Sequence, residues 1–122
     1  MKLYRDFESQ EAIDAQYDVE QSVPDFMIYA EQFVAASAQA RDTLPCHLGV
    51  RFGPTLDETL DIFPAADRNA PILVFIHGGY WRLLTSSEFD FVATGPVQRG
   101  MTVVVTNYSL CPKVTISEIT RQ

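Results

Sequence analysis

The chain has 122 residues, of which 47% are hydrophobic, and 16 acidic against 9 basic side chains give it a formal net charge of −7. This length suits one domain, and the apolar content is typical of a globular protein. The acidic balance argues against nucleic acid and anionic membranes as partners, because phosphates need Lys and Arg to neutralise them. No apolar run approaches the roughly 18 residues of a membrane span, and the first residues lack a signal peptide's apolar core. Two cysteines, Cys46 and Cys111, are too few for a disulfide scaffold, so we expect a cytoplasmic protein.

Residues 1–45 are predicted to form a helical N-terminal arm. Ser9 is a typical N-cap for a short helix over residues 10–18, and Pro24-Asp25 opens a second helix that ends near Arg41. The first 31 residues hold eight acids against two bases, which is typical of a solvated helical face. The aromatic side chains at helical spacing are predicted mainly to pack in the core and the arm; they are Tyr17, Phe26, Tyr29 and Phe33.

Residues 46–122 read as the first half of an α/β core. Residues 46–52 and 58–63 alternate between apolar and polar, which predicts an antiparallel pair with one buried face. Residues 72–76 and 101–106 are apolar almost throughout, as in parallel strands that are covered on both faces. A helical stretch over residues 87–99, capped by Ser86 or Ser87, joins them into a strand–helix–strand unit.

The last residues predict the start of another helix. Thr115-Ile116-Ser117-Glu118 has the pattern of a capping box, in which Thr and Glu side chains each cap a backbone N–H. Only four residues follow this box, too few for a stable helix alone. We therefore expect the chain to be the N-terminal part of a larger α/β domain.

One motif carries chemistry, and it lies where the first buried strand ends: His77-Gly78-Gly79-Tyr80-Trp81. Two adjacent glycines let the backbone turn sharply and leave N–H groups uncovered by side chains. Such donors can stabilise the negative oxygen of a tetrahedral intermediate, and His-Gly-Gly after a strand is typical of the oxyanion loop of esterases and lipases. A tight strand-exit turn without catalytic meaning is the alternative.

Two flanking segments support the interpretation as an oxyanion loop. Asn107-Tyr108-Ser109-Leu110-Cys111-Pro112 follows the next strand, and Asp14-Ala15-Gln16-Tyr17 lies in the arm. With these segments and the His-Gly-Gly motif, the chain resembles the arylformamidase (kynurenine formamidase) and esterase/lipase branch of the α/β-hydrolases over essentially its whole length. The resemblance implies that Gly79 and Tyr80 provide the oxyanion-hole N–H groups. It also implies that Gly78 is the turn residue and His77 shapes the loop, that Tyr80, Trp81 and Tyr17 contact substrate, and that no cofactor or metal is needed.

The sequence departs from that family at the nucleophile. These enzymes need a serine in a Gly-x-Ser-x-Gly elbow, followed by an acid and a histidine. None of the seven serines lies in such an elbow: Ser9, Ser22, Ser37, Ser86, Ser87, Ser109 and Ser117. Cys46 and His47 are strand neighbours whose side chains point to opposite faces, so they are a poor nucleophile–base pair. Cys111 is expected to be a small buried residue, and the His and Cys residues lack a metal-binding spacing.

Two hypotheses remain open. In the first, the parent protein is a serine hydrolase that acts on a small ester or aryl-formamide, and this chain lacks its nucleophile and triad. In the second, the chain is an inactive α/β-hydrolase fragment that works as a binding or assembly module through an exposed sheet edge. Such an edge leaves homo-oligomerisation open.

Overall fold

The computed structural model describes residues 2–122, which pack as two compact units, one up to Glu31 and the other from Gln32 to Gln122. Helices α1 (Gln10–Asp14) and α2 (Val19–Ser22) lie in the first unit, and α3 (Phe26–Thr43) begins there and ends in the second. Ser9 caps α1 as predicted, since its hydroxyl accepts a hydrogen bond from the Ala12 N–H at 3.2 Å. The predicted helix over 10–18 is too long, because Asp18 caps a separate turn, α2.

The packing predicted for the aromatic residues of the arm is wrong in part. Tyr17 and Tyr29 are exposed by 59% and 50%, and Phe26 also borders solvent. Phe33 is the exception, because its ring lies 4.9 Å from that of Phe91, centroid to centroid, within the second unit. Helical spacing thus placed the rings of Phe26, Tyr29 and Phe33 along α3 without determining what covers them, and Tyr17 lies in the turn between α1 and α2.

The second unit contains one four-stranded sheet in the order β1-β2-β4-β3. The strands are β1 (His47–Arg51), β2 (Thr59–Phe63), β3 (Ile72–Ile76) and β4 (Thr102–Thr106). The two apolar runs pair in parallel, with Ile72 opposite Thr102, and β2 is antiparallel to both β1 and β4. The predicted parallel pair and the predicted antiparallel pair at its side are both confirmed. This is the predicted α/β architecture.

The connection between β3 and β4 is helical, as predicted, but broken into short pieces. Two 3₁₀ turns (Ser86–Glu88 and Asp90–Ala93) lead into α4 (Thr94–Gln98). The predicted cap at Ser86 or Ser87 is wrong by one residue: Thr85 is the N-cap and forms a full capping box with Glu88. Ala93 is fully buried in the core of the unit, with Phe63, Val103 and Val105.

Burial differs most from expectation at the two edge strands. β3 buries only the face of Leu73 and Phe75, while Ile72, Val74 and Ile76 are 59–69% exposed. All five residues of β1 are exposed, so its predicted buried face is wrong as well. The reason is geometric: within residues 2–122, the buried core lies on one face of the sheet, and β1 and β3 are its outer strands.

The last helix, α5 (Ile116–Arg121), begins where the sequence predicts. Only half of the capping box forms, because the Thr115 hydroxyl caps the Glu118 N–H at 3.2 Å while the Glu118 carboxylate turns to Arg121. Among the helices of residues 2–122, none combines the length and the apolar content that crossing a membrane requires.

Candidate functional site

The candidate site is the glycine loop, residues 77–84, which leaves the carboxyl end of β3. The predicted motif lies within it. His77 is 3% exposed, whereas Tyr80 and Trp81 are 59% and 47% exposed, with ring centroids 5.9 Å apart. The loop therefore has a buried base at the strand and an aromatic tip in solvent.

His77 is held on both faces of its ring. The ring stacks on Tyr108 with a centroid distance of 4.2 Å and on Phe89 at 5.6 Å. Its Nδ1 lies 2.7 Å from the Gly78 carbonyl oxygen, which can only accept, so the ring carries its proton on Nδ1. Burial lowers the pKa of His77, since it disfavours the charged ring. Within the described residues its Nε2 is buried without a partner, an arrangement that suits loop shaping better than proton transfer.

The two glycines of the motif differ in how strictly the backbone requires them. Gly79 has φ of +119°, a conformation that side chains rarely adopt, and a Cβ there would overlap the Leu83 carbonyl oxygen. Its own carbonyl accepts from the N–H groups of Arg82 at 3.0 Å and Leu83 at 2.9 Å, which closes a tight turn. Gly78 has open space where a Cβ would stand and no positive φ. Of the two, only Gly79 is required by the turn.

The residues after Gly79 continue the unusual backbone. Tyr80 and Trp81 have φ of 57° and 58°, in the left-handed region that few non-glycine residues occupy. Such strain is found where the surrounding structure holds it in place, and it clusters at functional sites. Within residues 2–122, the N–H groups of Gly79, Tyr80 and Trp81 donate to no protein atom. Consecutive unpaired N–H groups in a turn are suited to binding an anion.

The directions of the two predicted donors, the N–H groups of Gly79 and Tyr80, are set by hydrogen bonds to the carbonyls of the same peptides. A trans peptide is planar, so its N–H points opposite to its C=O. The Gly79 N–H shares a peptide with the Gly78 carbonyl, which His77 Nδ1 holds. The Tyr80 N–H shares a peptide with the Gly79 carbonyl, which Arg82 and Leu83 hold. The directions of both N–H groups are therefore set by the hydrogen bonds to these two carbonyls.

The hydroxyls of Ser86 and Ser109 are engaged with carboxylates. Ser86 Oγ donates to Asp61 at 2.6 Å, and Ser109 Oγ donates to Asp57 at 2.8 Å. Neither of them hydrogen-bonds a histidine ring, which serine activation would need. Cys46 Sγ lies 3.7 Å from the Arg41 carbonyl, while its neighbour His47 is exposed, so the structure does not bring them together as a pair. Cys111, predicted to be buried, is half-buried.

Sequence reasoning missed two buried acids, Asp90 and Asp61. Asp90 is fully buried and accepts from Arg41 at 2.7 Å, and Asp61 is 7% exposed on the core face of β2. Burial and the nearby charge of Asp61 raise the pKa of Asp90 to about 6, although Arg41 opposes this shift. The sequence does contain the Thr85–Glu88 capping pattern, which marks the start of the helical connection in which Asp90 lies. No cluster of three or more metal-binding side chains occurs in the part of the chain that the structure describes.

Comparison with known proteins gives matches in both sequence and structure. No family model matches the chain. It is 32% identical over 81 residues to a kynurenine formamidase of Danio rerio, and 32% identical over 89 residues to one of Salmo salar. These matches cover 65% and 68% of the chain but only 28% and 30% of those proteins, so the chain spans less than a third of either relative.

Solved structures share the fold over a larger part of the chain. A protein assigned as a thioesterase from Silicibacter sp. superposes with a TM-score of 0.81 at 29% identity, over 86% of this chain and 41% of that one. An esterase of Lactobacillus matches with a TM-score of 0.59 at 18% identity, over 93% and 38% of the two chains. The chain has an α/β-hydrolase fold. Its sequence is similar to those of the kynurenine formamidases, as the motif and its flanking segments predict.

Proposed function

We propose that the chain provides the oxyanion-binding part of a serine hydrolase that cleaves small esters or aryl-formamides. The observation that carries this proposal is the set of unpaired N–H groups of Gly79 and Tyr80 at the end of β3, oriented by held carbonyls. Kynurenine formamidases and an esterase among the similar proteins support the reaction class.

In the proposed reaction, a serine oxygen attacks the substrate carbonyl carbon and its proton passes to a histidine. The carbonyl oxygen becomes negative and accepts hydrogen bonds from the N–H groups of Gly79 and Tyr80. The bond to the leaving oxygen or nitrogen then breaks, and the leaving group takes the proton from the histidine. Water hydrolyses the acyl-enzyme in the same way. The serine, the histidine and its acid partner would come from polypeptide outside these 122 residues.

The aromatic residues would set substrate preference. Tyr80 and Trp81 place two exposed rings beside the donors, where they can line an acyl or aryl pocket. Tyr17 is also exposed, and its contact with substrate is part of the proposal. We propose small-molecule partners in a cytoplasmic setting, with no nucleic acid or membrane partner, and no cofactor is required by this chemistry.

A second candidate has one observation in its favour. β3 is an outer strand, and its exposed side chains Ile72, Val74 and Ile76 form an apolar row. Outer strands with apolar residues tend to pair with other chains. An inactive chain could use this strand for assembly, including homo-oligomerisation.

The test uses the product of the intact gene, assayed with p-nitrophenyl acetate and an aryl-formamide and labelled with a fluorophosphonate. We expect labelling of one serine, and a Gly79→Val variant that loses about 10²–10³ in kcat, as loss of one oxyanion donor typically does. The 122-residue chain by itself should neither be labelled nor exceed a denatured control. A gene product that shows no labelling and no hydrolysis would leave the assembly module as the function. Trp81→Ala should instead alter KM or substrate preference.

A further inference from the structure

Tyr108 is a residue of the flanking segment to which the proposed function gives no part. It follows β4, is 8% exposed, and donates its hydroxyl proton to the His77 carbonyl oxygen at 2.6 Å. The same side chain stacks on the His77 ring at 4.2 Å with an angle of 9° between the planes. Tyr108 therefore holds both the backbone and the side chain of the residue at which the glycine loop begins.

The same segment also holds the far end of the motif. The Cys111 N–H donates to the Trp81 carbonyl at 2.8 Å. Trp81 is the last motif residue, and the Arg82 N–H of the same peptide donates to the Gly79 carbonyl. Residues 108–111 thus hold the motif at its first and last residues, across about thirty positions of sequence.

We propose that Tyr108 is a positioning residue that aims the N–H donor of Gly79, an inference that rests on the proposed function for its chemical meaning. The chain of contacts runs from the hydroxyl to the His77 carbonyl and, through the stacked ring, to Nδ1 and the Gly78 carbonyl. Since the Gly78 carbonyl and the Gly79 N–H belong to one planar peptide, the direction of this donor depends on Tyr108.

The hydroxyl and the ring can be separated experimentally. Tyr108→Phe keeps the stacking ring and removes only the hydrogen bond to His77, whereas Tyr108→Leu removes both. Tyr29→Phe is the matched control, because it deletes a hydroxyl from an exposed tyrosine. All three variants are made in the 122-residue chain and studied by NMR with ¹⁵N labelling.

Amide hydrogen exchange at Arg82, Leu83 and Cys111 reports on the loop, because these N–H groups hold its carbonyls. We expect Tyr108→Phe to speed their exchange about fivefold, as loss of one typical hydrogen bond would. The exchange rates of the β2 and β4 amides should stay as they are in the wild-type chain, once any change in global stability is taken into account. The His77 ring should change from a single Nδ1–H tautomer to a mixture, and Tyr108→Leu should exceed both effects. Tyr29→Phe should change neither signal.

Two results would overturn the proposal. One is an increase in exchange that is uniform over loop and sheet, which would assign Tyr108 to general packing. The other is a Tyr108→Phe variant with unchanged loop amides and an unchanged His77 tautomer. If the variants do not fold, the wild-type chain decides, since an Nε2–H tautomer of His77 or an unprotected Cys111 amide contradicts the geometry. None of these signals needs a nucleophile. Inactivity of the gene product would therefore overturn the proposed function without deciding whether Tyr108 positions the loop.

Discussion

The two glycines of the motif should respond differently to the same small change. Gly79→Ala adds a methyl group where the Leu83 carbonyl oxygen already stands, and it does so at φ of +119°. Gly78→Ala adds the same group into open space at an ordinary backbone conformation. The pair is therefore a matched test of whether backbone geometry, rather than loss of flexibility, makes a glycine necessary here.

The magnitude follows from two contributions. Holding a non-glycine residue in so rare a conformation costs about 1–3 kcal/mol. Relieving the overlap means opening the turn, which releases the Arg82 and Leu83 N–H groups from the Gly79 carbonyl at roughly 1 kcal/mol each. Gly79→Ala should thus lower the free energy of unfolding by about 3–5 kcal/mol if position 79 keeps its φ while the turn opens, a large share of a typical 5–15 kcal/mol. Gly78→Ala should stay within about 0.5 kcal/mol of wild type.

Urea unfolding followed by two probes separates the outcomes. Far-UV circular dichroism reports on the sheet and helices, and fluorescence reports on the loop, because Trp81 is the only tryptophan. A loop in which position 79 keeps its strained φ lowers the unfolding midpoint seen by both probes. A loop that rearranges spares the midpoint but changes the emission and anisotropy of Trp81 in the native state. If Gly79→Ala matches Gly78→Ala in both midpoint and Trp81 signal, the reasoning from the overlap is refuted.

Two further predictions concern buried carboxylates. Burial raises the pKa of Asp90 to about 6 in the folded chain, so the folded state binds this proton more tightly than the unfolded state does. Its contribution of about 3 kcal/mol is present below pH 4 and is lost as pH rises through 6. The unfolding free energy of the wild type minus that of Asp90→Asn should therefore decrease as the pH rises from 4 to 7. A difference that does not change with pH would contradict the assignment. Gly53→Ala should cost about 2 kcal/mol in urea unfolding, because its Cβ displaces the buried Glu58 carboxylate from charge-assisted hydrogen bonds. Gly95→Ala, in open space on α4, should be neutral or stabilising, and equal effects of these two changes would be the contrary result.

The strands could be predicted from the sequence because their signal is local. Alternation marked residues 46–52 and 58–63, and unbroken apolar runs marked β3 and β4 to within one residue. What covers a strand is a property of its surroundings, which is why the apolar run of β3 suggested two buried faces although Ile72, Val74 and Ile76 are exposed in this chain. Periodicity also could not show that Asp61 faces the core, where the Ser86 hydroxyl and the Gly49 N–H hold its carboxylate.

The candidate site was predictable in position but not in detail. The motif and its place after β3 identified the loop, because two adjacent glycines let the backbone turn sharply where a strand ends. The sequence did not separate Gly78 from Gly79, since the difference depends on the Leu83 carbonyl brought close by the turn. It also gave no indication of the left-handed conformation at Tyr80 and Trp81, which neither residue type favours.

The sequence of the motif does not by itself determine the direction of its N–H groups, and this has a physical cause in the fold. An N–H group is aimed through the carbonyl of its own peptide. The Gly78 carbonyl, which shares a peptide with the Gly79 N–H, is held by the His77 ring, and this ring stacks on Tyr108, which lies 31 residues after His77. β3 and β4 are parallel neighbours, so residues that follow the two strands meet at the same end of the sheet. The pairing of two apolar strands therefore brings the holding residue to the loop, and the five-residue motif alone cannot fix where its donors point.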